Sequence, residues 1–296
     1  MKYAYYPGCS LMESARDYDR STRLVLAALG AELEEIDGWT CCGASAAEAV
    51  DARLALALPA RNLALAQRQC PGADVLAPCS ACYLNLQKAA LKTRDERALR
   101  QEVNGVLAAE DLAIGTEHRV RHLLDLLANE LAERVFGAVR RPLEGLTVAP
   151  YYGCQILRPY RIFDDPERPV SMERVIHDMG AEVHPWDMGA RCCGASLMVT
   201  DRSVALRSVA GILRAARGAD VIATVCPLCQ MNLEAYQAEA SRLAGEDLRA
   251  SVVYLPQLMG LAFGLGGGEL MLNGNLALAG RMAAEARQTP MPAQAI

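Results

Sequence analysis

Apolar positions along the chain fall into two kinds of run. Short, continuous apolar or β-rich stretches at residues 2–6, 75–77, 147–152, 221–225 and 251–255 predict buried strands. Longer stretches with helical spacing occupy 17–29, 170–179 and 201–217, and a further one covers 59–69, with Pro59 suited to a first turn. Two more helices are predicted to open at Ser80 and Pro227. Strands that alternate with helices predict an α/β chain of parallel βαβ units, a small parallel sheet flanked by helices. In open sheets of that kind ligands gather at the carboxyl ends of the strands. Residues 92–140 read as charged and helical, with no chemistry of their own. The tail from Gly264 is glycine-rich and then alanine-rich, which suits either an extension packing on the body of the fold or a partly disordered end.

The pattern then repeats. Tyr5-Tyr6-Pro7-Gly8-Cys9 returns as Tyr151-Tyr152-Gly153-Cys154, Gly30-Ala31-Glu32 as Gly180-Ala181-Glu182, and Cys41-Cys42-Gly43-Ala44-Ser45 as Cys192-Cys193-Gly194-Ala195-Ser196. Ala73-Asp74-Val75 returns as Ala219-Asp220-Val221, Cys79-x-x-Cys82 as Cys226-x-x-Cys229, and Asn85-Leu86 as Asn232-Leu233. The order is the same in both halves and the offsets stay between 145 and 151 residues. A repeat of that length implies two copies of one domain, 1–143 and 144–296, the second with the C-terminal extension.

Composition narrows the function classes. The 296 residues carry 30 Lys+Arg against 35 Asp+Glu, a formal charge of −5, and 52% are hydrophobic, so the chain buries a sizeable core and is not of the disordered class. The acidic balance excludes nucleic-acid binding by bulk positive charge. No apolar run reaches the roughly 18 residues of a membrane span, and the first residues lack the apolar core of a secretory signal, so a cytoplasmic chain is expected. Eleven cysteines are then out of the ordinary. In a reducing compartment they point to metal ligation or redox work rather than to structural disulfides.

Ten of them form two matched sets. In the first half Cys9, 31 residues, Cys41-Cys42, 36 residues and Cys79-x-x-Cys82 follow one another; in the second, Cys154, 37 residues, Cys192-Cys193, 32 residues and Cys226-x-x-Cys229. Cys70 stands outside both. A tetrahedral zinc site or a cubane iron–sulfur cluster takes four thiolates and leaves one over. A thioredoxin-type CxxC explains part of each set but needs no distant third, fourth and fifth cysteine. Zinc and metal-free dithiol exchange both remain open at this point. Glycine beside each vicinal pair and each lone cysteine supplies the tight turns that let neighbouring sulfurs face one place. A helix opening within each CxxC adds a positive dipole end that favours thiolate.

These motifs resemble the CCG domain, and two tandem copies resemble the B subunit of heterodisulfide reductase. The likeness runs from Tyr5 to about Leu261 and includes the flanks Tyr151-Tyr152-Gly153-Cys154-Gln155-Ile156-Leu157-Arg158-Pro159 and Pro227-Leu228-Cys229-Gln230-Met231-Asn232. The first half departs from it at Ser80, where the second copy has Pro227. The resemblance implies that each five-cysteine set holds a non-cubane [4Fe–4S] cluster, with all ten cysteines as ligands. It also implies that Cys9, Cys41, Cys42, Cys154, Cys192 and Cys193 take part in cleaving or forming a disulfide. Two clusters facing one cleft would deliver the two electrons singly, each product sulfur landing on one iron. The implied partners are a flavin-containing A-type subunit and a ferredoxin-like C-type iron–sulfur subunit, since this chain has neither a GxGxxG fingerprint nor a four-cysteine ferredoxin run.

Two substrate branches follow from the resemblance: the mixed disulfide of coenzymes M and B, and sulfur substrates carried on a lipoate-bearing protein in bacterial sulfur oxidation. A different class of reading is a non-catalytic iron–sulfur relay or anchoring subunit of a quinone-linked dehydrogenase. Beyond the cysteines, Arg158 and Arg161 are candidates for an anionic substrate. His184, whose ordinary pKa suits neutral pH, is a candidate proton donor to a nascent thiolate. His118, His122 and His177 carry no further signal.

Overall fold

The computed structural model describes residues 1–44 and 47–287. Ser45 of the repeated motif and the end of the C-terminal extension, 288–296, lie outside the described residues. Among the described residues eight strands form two parallel four-stranded sheets. The first contains β1 (Lys2–Tyr5), β2 (Glu32–Glu35), β3 (Val75–Ala77) and β4 (Val120–His122) in the order β2-β1-β3-β4. The second contains β5 (Thr147–Tyr151), β6 (Glu182–Val183), β7 (Val221–Thr224) and β8 (Val252–Tyr254) in the order β6-β5-β7-β8. The chain therefore folds as α/β with one topology used twice, as expected.

Register follows from burial. The central strands β1 and β3 pair Ala4 with Val75 and Tyr5 with Leu76, and all four residues are buried. β5 and β7 do the same from Val148–Val221 to Tyr151–Thr224. Strands covered on both faces read as continuous apolar runs, and these are the ones the sequence pattern predicts. β2 carries Glu-Leu-Glu-Glu at a sheet edge, where one side needs no apolar cover. β4 lies within the stretch that composition assigns to helix, and its pairing with β3 overrides that reading.

Helices also depart from the pattern at one place. Helix Ala52–Gln69 begins seven residues before Pro59, so Pro59 sits inside it rather than in its first turn. The Asp51 carboxylate sets the start by accepting from the N–H groups of Arg53 and Leu54. Asp201 does the same for helix Arg202–Ala215 through Val204 N–H.

By packing, the chain divides into two compact units, Met1–Ser14 with Gly30–Leu123, and Ala15–Leu29 with Leu124–Ile296. Helix Arg16–Ala28 thus belongs to the second unit. There the Tyr18 hydroxyl donates to the Val225 carbonyl at 3.1 Å and its ring stacks on Tyr254 at 4.2 Å. The segment after Gly264 is also tied to this unit. Gln257 donates to Leu270 O and to Asn275 Oδ1, and Asn275 donates to Val252 O on β8.

Candidate iron–sulfur site

All ten matched cysteines stand at the carboxyl ends of strands. Cys9 follows β1, Cys41-Cys42 follow β2, and Cys79 and Cys82 follow β3; Cys154, Cys192-Cys193 and Cys226 with Cys229 follow β5, β6 and β7 in turn. The two central strands of each sheet run to neighbours on opposite sides, β1 to β2 and β3 to β4, so a crevice opens where their ends diverge. Each five-cysteine set lies wholly within one unit.

Each set has a mouth and a floor. Cys9 and Cys41 are exposed, whereas Cys42, Cys79 and Cys82 are buried. In the second half Cys192 is exposed and Cys154 half-buried, over buried Cys193, Cys226 and Cys229. On the floor Cys42 Sγ lies 3.4 Å from Cys82 Sγ, and Cys193 Sγ lies 3.6 Å from Cys229 Sγ.

The backbone fits around these sulfurs with little room to spare. Gly8 and Gly153 have φ of +72° and +70°, and a Cβ there would come within 2.7 Å of Cys82 Sγ and 3.0 Å of Cys229 Sγ. Gly43 and Gly194, also left-handed, donate their N–H groups to Cys41 Sγ at 3.4 Å and Cys192 Sγ at 3.3 Å. Cys79 and Cys226 are the residues before helices Ser80–Asp95 and Pro227–Ala235, and neither helix has an acidic residue in its first turn. The positive helix ends are left to the sulfurs.

Charge is shared unevenly between thiols in contact. A hydrogen bond from Cys41, and then one from Cys82, draws Cys42 down to about 3, while Cys41 itself is pushed up by the same contact. In the second half Cys154 plays the donor and Cys192 falls to about 6. Cys82 and Cys229 are raised by contacts with their neighbouring thiols and by burial.

The donors suit a group of several irons. Among the described residues, no three His, Cys, Asp or Glu side chains converge to hold a single metal ion. The thiols are instead distributed from mouth to floor, with contacts running Cys41–Cys42–Cys82–Cys79 in the first half and Cys154–Cys192 and Cys193–Cys229–Cys226 in the second. Five soft thiolate donors spread in this way match a multinuclear iron–sulfur group better than one tetrahedral ion.

The remaining predicted residues have other engagements. The Arg158 guanidinium donates to the carbonyls of Ala190 at 2.9 Å and Pro166 at 2.5 Å and meets Glu167 at 3.0 Å, so it braces the loop before Cys192. Arg161 is exposed and stands 3.0 Å from Asp165. His184 Nε2 bonds the Ala215 carbonyl at 3.0 Å, at the end of helix Arg202–Ala215. Cys70 is buried, raised by burial, and interacts with Glu34.

Sequence reasoning missed four side chains that serve the thiols. The Tyr6 hydroxyl donates to Thr40 O at 2.6 Å, and the Tyr151 hydroxyl to Arg191 O at 2.7 Å; both acceptors immediately precede a vicinal cysteine pair. Asn85 donates to Cys42 O at 2.9 Å and Asn232 to Cys193 O at 2.7 Å. The repeat held the signal: aligned on Gly8-Cys9 and Gly153-Cys154, Tyr6 matches Tyr151, and aligned on the CxxC pairs, Asn85 matches Asn232.

A duplicated parallel α/β scaffold with five thiols at each set of strand ends defines a tandem cysteine-rich redox domain. The family of the cysteine-rich domain CCG matches residues 3–87 and again 148–234, and the chain belongs to that family, in the tandem form of the heterodisulfide reductase B subunits. It is 37% identical over 279 residues to the 8-methylmenaquinol:fumarate reductase membrane anchor subunit of Wolinella succinogenes, covering 93% of this chain and 96% of that one. It is 28% identical to the B subunit of the ferredoxin/F420H2-dependent CoB-CoM heterodisulfide reductase of Methanosarcina acetivorans, covering 93% of each. An Archaeoglobus profundus protein, named as similar to the B subunit of heterodisulfide reductase, is 27% identical over 89% of this chain and 91% of that one. The crystal structure of a hypothetical protein from Helicobacter pylori shares the fold, with a TM-score of 0.76 at 16% identity over 94% of this chain; this chain spans 52% of that one. These relationships make the chain an oxidoreductase-type iron–sulfur protein of electron transfer and a relative of subunits of larger complexes. No helix among the described residues is long and apolar enough to cross a membrane.

Proposed function

We propose that the chain is the catalytic B-type subunit of a heterodisulfide-reductase-like complex in sulfur metabolism. Each copy, 1–143 and 144–296, holds one non-cubane [4Fe–4S] cluster, and the two together cleave or form a disulfide. The observation that carries this reading is the duplication of an intact five-thiol set with the same mouth and floor. When bound, the clusters supply one electron each. A disulfide takes up two electrons and two protons to give two thiols, so a chain with two one-electron centres avoids a free thiyl radical.

This chain's own residues set the stage for that step. The floor thiols Cys42, Cys79 and Cys82, with Cys193, Cys226 and Cys229, anchor the inner side of each group. Cys9 and Cys41, with Cys154 and Cys192, close the mouth, where a substrate sulfur approaches. Arg161, exposed beside Cys154's loop, offers a cation to an anionic substrate. Electrons for cleaving a free disulfide come from a flavin-containing A-type subunit through a ferredoxin-like C-type subunit; with a dithiol on a lipoate-bearing protein, its two electrons leave by the same partners and its two protons to solvent as the disulfide forms, and the complex works in the cytoplasm.

The Wolinella relative favours a second reading, a non-catalytic relay or anchoring subunit of a quinone-linked dehydrogenase. Anaerobically purified chain, chemically reduced and mixed with a candidate disulfide, separates the two. The catalytic reading expects thiol release and a new paramagnetic signal on substrate addition. Reduced clusters that leave every disulfide intact, yet pass electrons to a dehydrogenase partner, would establish the relay.

A further inference from the structure

We propose that Tyr6 and Asn85 in the first half, and Tyr151 and Asn232 in the second, are positioning residues that fix the backbone on both sides of each vicinal cysteine pair. This rests on the reading of the paired cysteines as cluster ligands and adds the residues that aim them. Two adjacent residues point both sulfurs into one crevice only when the backbone around them is held in a turn. Gly43 and Gly194 permit that turn with φ of +74° and +79°, but permission is not restraint. The carbonyls at either end of the pair lie outside the strands and helices, so no ladder or helix bond holds them in place. Tyr6 and Tyr151, both fully buried, donate to the carbonyl before the pair; Asn85 and Asn232 donate to the carbonyl of its second cysteine. The same bracket, built twice from positions related by the repeat, is not an accident of local packing.

The tyrosines reach further than one bond. The Cε1 of the Tyr6 ring would lie 3.4 Å from a Cβ on Gly8, and that of Tyr151 3.9 Å from one on Gly153, so each ring also backs the turn that carries the lone cysteine.

The two brackets differ in one respect that makes the proposal testable within a single molecule. Asn62 donates a second bond to Thr40 O at 2.9 Å and accepts from Thr40 N–H at 2.8 Å. Aligned on the helix-capping residues Asp51 and Asp201, the repeat places Ile212 where the first half has Asn62, so Arg191 O lacks that second bond, and the brace Arg158 supplies in this half meets the Ala190 carbonyl, one residue further from the pair. Removing the Tyr151 hydroxyl therefore loosens its loop more than removing the Tyr6 hydroxyl.

The test uses the full chain, metal-free and reduced, with iodoacetamide and mass-spectrometric mapping of each cysteine. Tyr151→Phe is expected to raise the alkylation rate of buried Cys193 on the order of tenfold, because losing the hydrogen bond of this buried side chain lowers the local opening cost. Cys42 stays at its wild-type rate in that variant. Asn232→Asp, which removes the donor at the other end of the pair, acts in the same direction. Tyr6→Phe raises the Cys42 rate by a smaller factor. Unchanged Cys193 protection in both second-half variants overturns the proposal. So does equal exposure of cysteines in both halves, which a merely structural role or global unfolding gives. Iron reconstitution of the same variants, read by paramagnetic resonance, should shift the signal of one half only. If the wild-type chain takes no iron, the functional reading fails while the alkylation pattern still decides this one.

Discussion

The two halves carry the same five thiols on the same strand order, yet each is reinforced by a different means. In the first half Asn62 grips Thr40 ahead of Cys41-Cys42; in the second Arg158 reaches from the loop after Cys154 to the carbonyl of Ala190. The lone cysteine follows suit. Cys9 is exposed and Cys154 half-buried, and the stretch between Cys154 and Cys192 is six residues longer than that between Cys9 and Cys41, 37 against 31. The thiol drawn toward the anionic form differs too, Cys42 on the floor in one half and Cys192 at the mouth in the other. The shared parts hold the sulfurs, and the parts that differ lie around them. The duplication thus preserves the five-thiol arrangement while leaving each site free to acquire its own access and acidity.

The strongest way to break this comparison is to remove one floor thiol at a time. Cys82→Ser and Cys229→Ser should each lower the iron content from about eight to about four per chain and abolish disulfide chemistry, leaving the other half's cluster signal in place. Iron analysis with paramagnetic resonance checks it, and loss of all iron from either single variant would mean that the halves do not bind independently.

A smaller effect is expected at the glycines behind the floor. Gly8→Ala and Gly153→Ala force a side chain into left-handed backbone and against a sulfur, at 2.7 Å and 3.0 Å respectively. Each should cost about 2–4 kcal/mol, more for Gly8, from backbone strain and overpacking. Thermal unfolding of the two variants side by side measures the order.

The smallest contrast is one of pH. Buried Glu234, five residues after Cys229, corresponds to Gln87 in the first half, and burial pushes its carboxyl up to about 7 against hydrogen bonds from Leu276 and Ala277. A carboxyl with a raised folded-state pKa contributes its full stability below the unfolded value near 4.3 and loses it as pH rises through about 7. Glu234→Gln should therefore flatten the decline between those values and gain about 1–2 kcal/mol at pH 8, while Gln87→Glu should introduce such a decline in the first half. Denaturant titrations from pH 5 to pH 8 would read it.

Much of this is legible in the chain itself. The repeat, the α/β class and the convergence of cysteines at strand ends follow from apolar runs and spacing, because buried central strands and paired motifs leave strong signals. The acidic edge strand leaves none: Glu32-Leu33-Glu34-Glu35 pairs with β1 by backbone bonds that its acidic side chains do not announce. Pro59 looks like a helix start, since nothing in its own neighbourhood reveals that Asp51 caps the helix two turns earlier. Helix Arg16–Ala28 belongs by position to the first copy, and its packing with the second unit depends on the Tyr18 contacts with Val225 and Tyr254, more than 200 residues away. The brackets on the vicinal pairs escape for a related reason. A tyrosine or asparagine that serves a distant carbonyl looks, in sequence, like any other.

The central claim is that each half is a complete and separate ligand set for a four-iron cluster. Iron and acid-labile sulfide counted on the anaerobically purified full chain test it directly. The account predicts about eight irons and a matching amount of sulfide, falling by half when one set is disabled. Stoichiometric zinc, or a chain that carries out disulfide exchange with no metal at all, would contradict it.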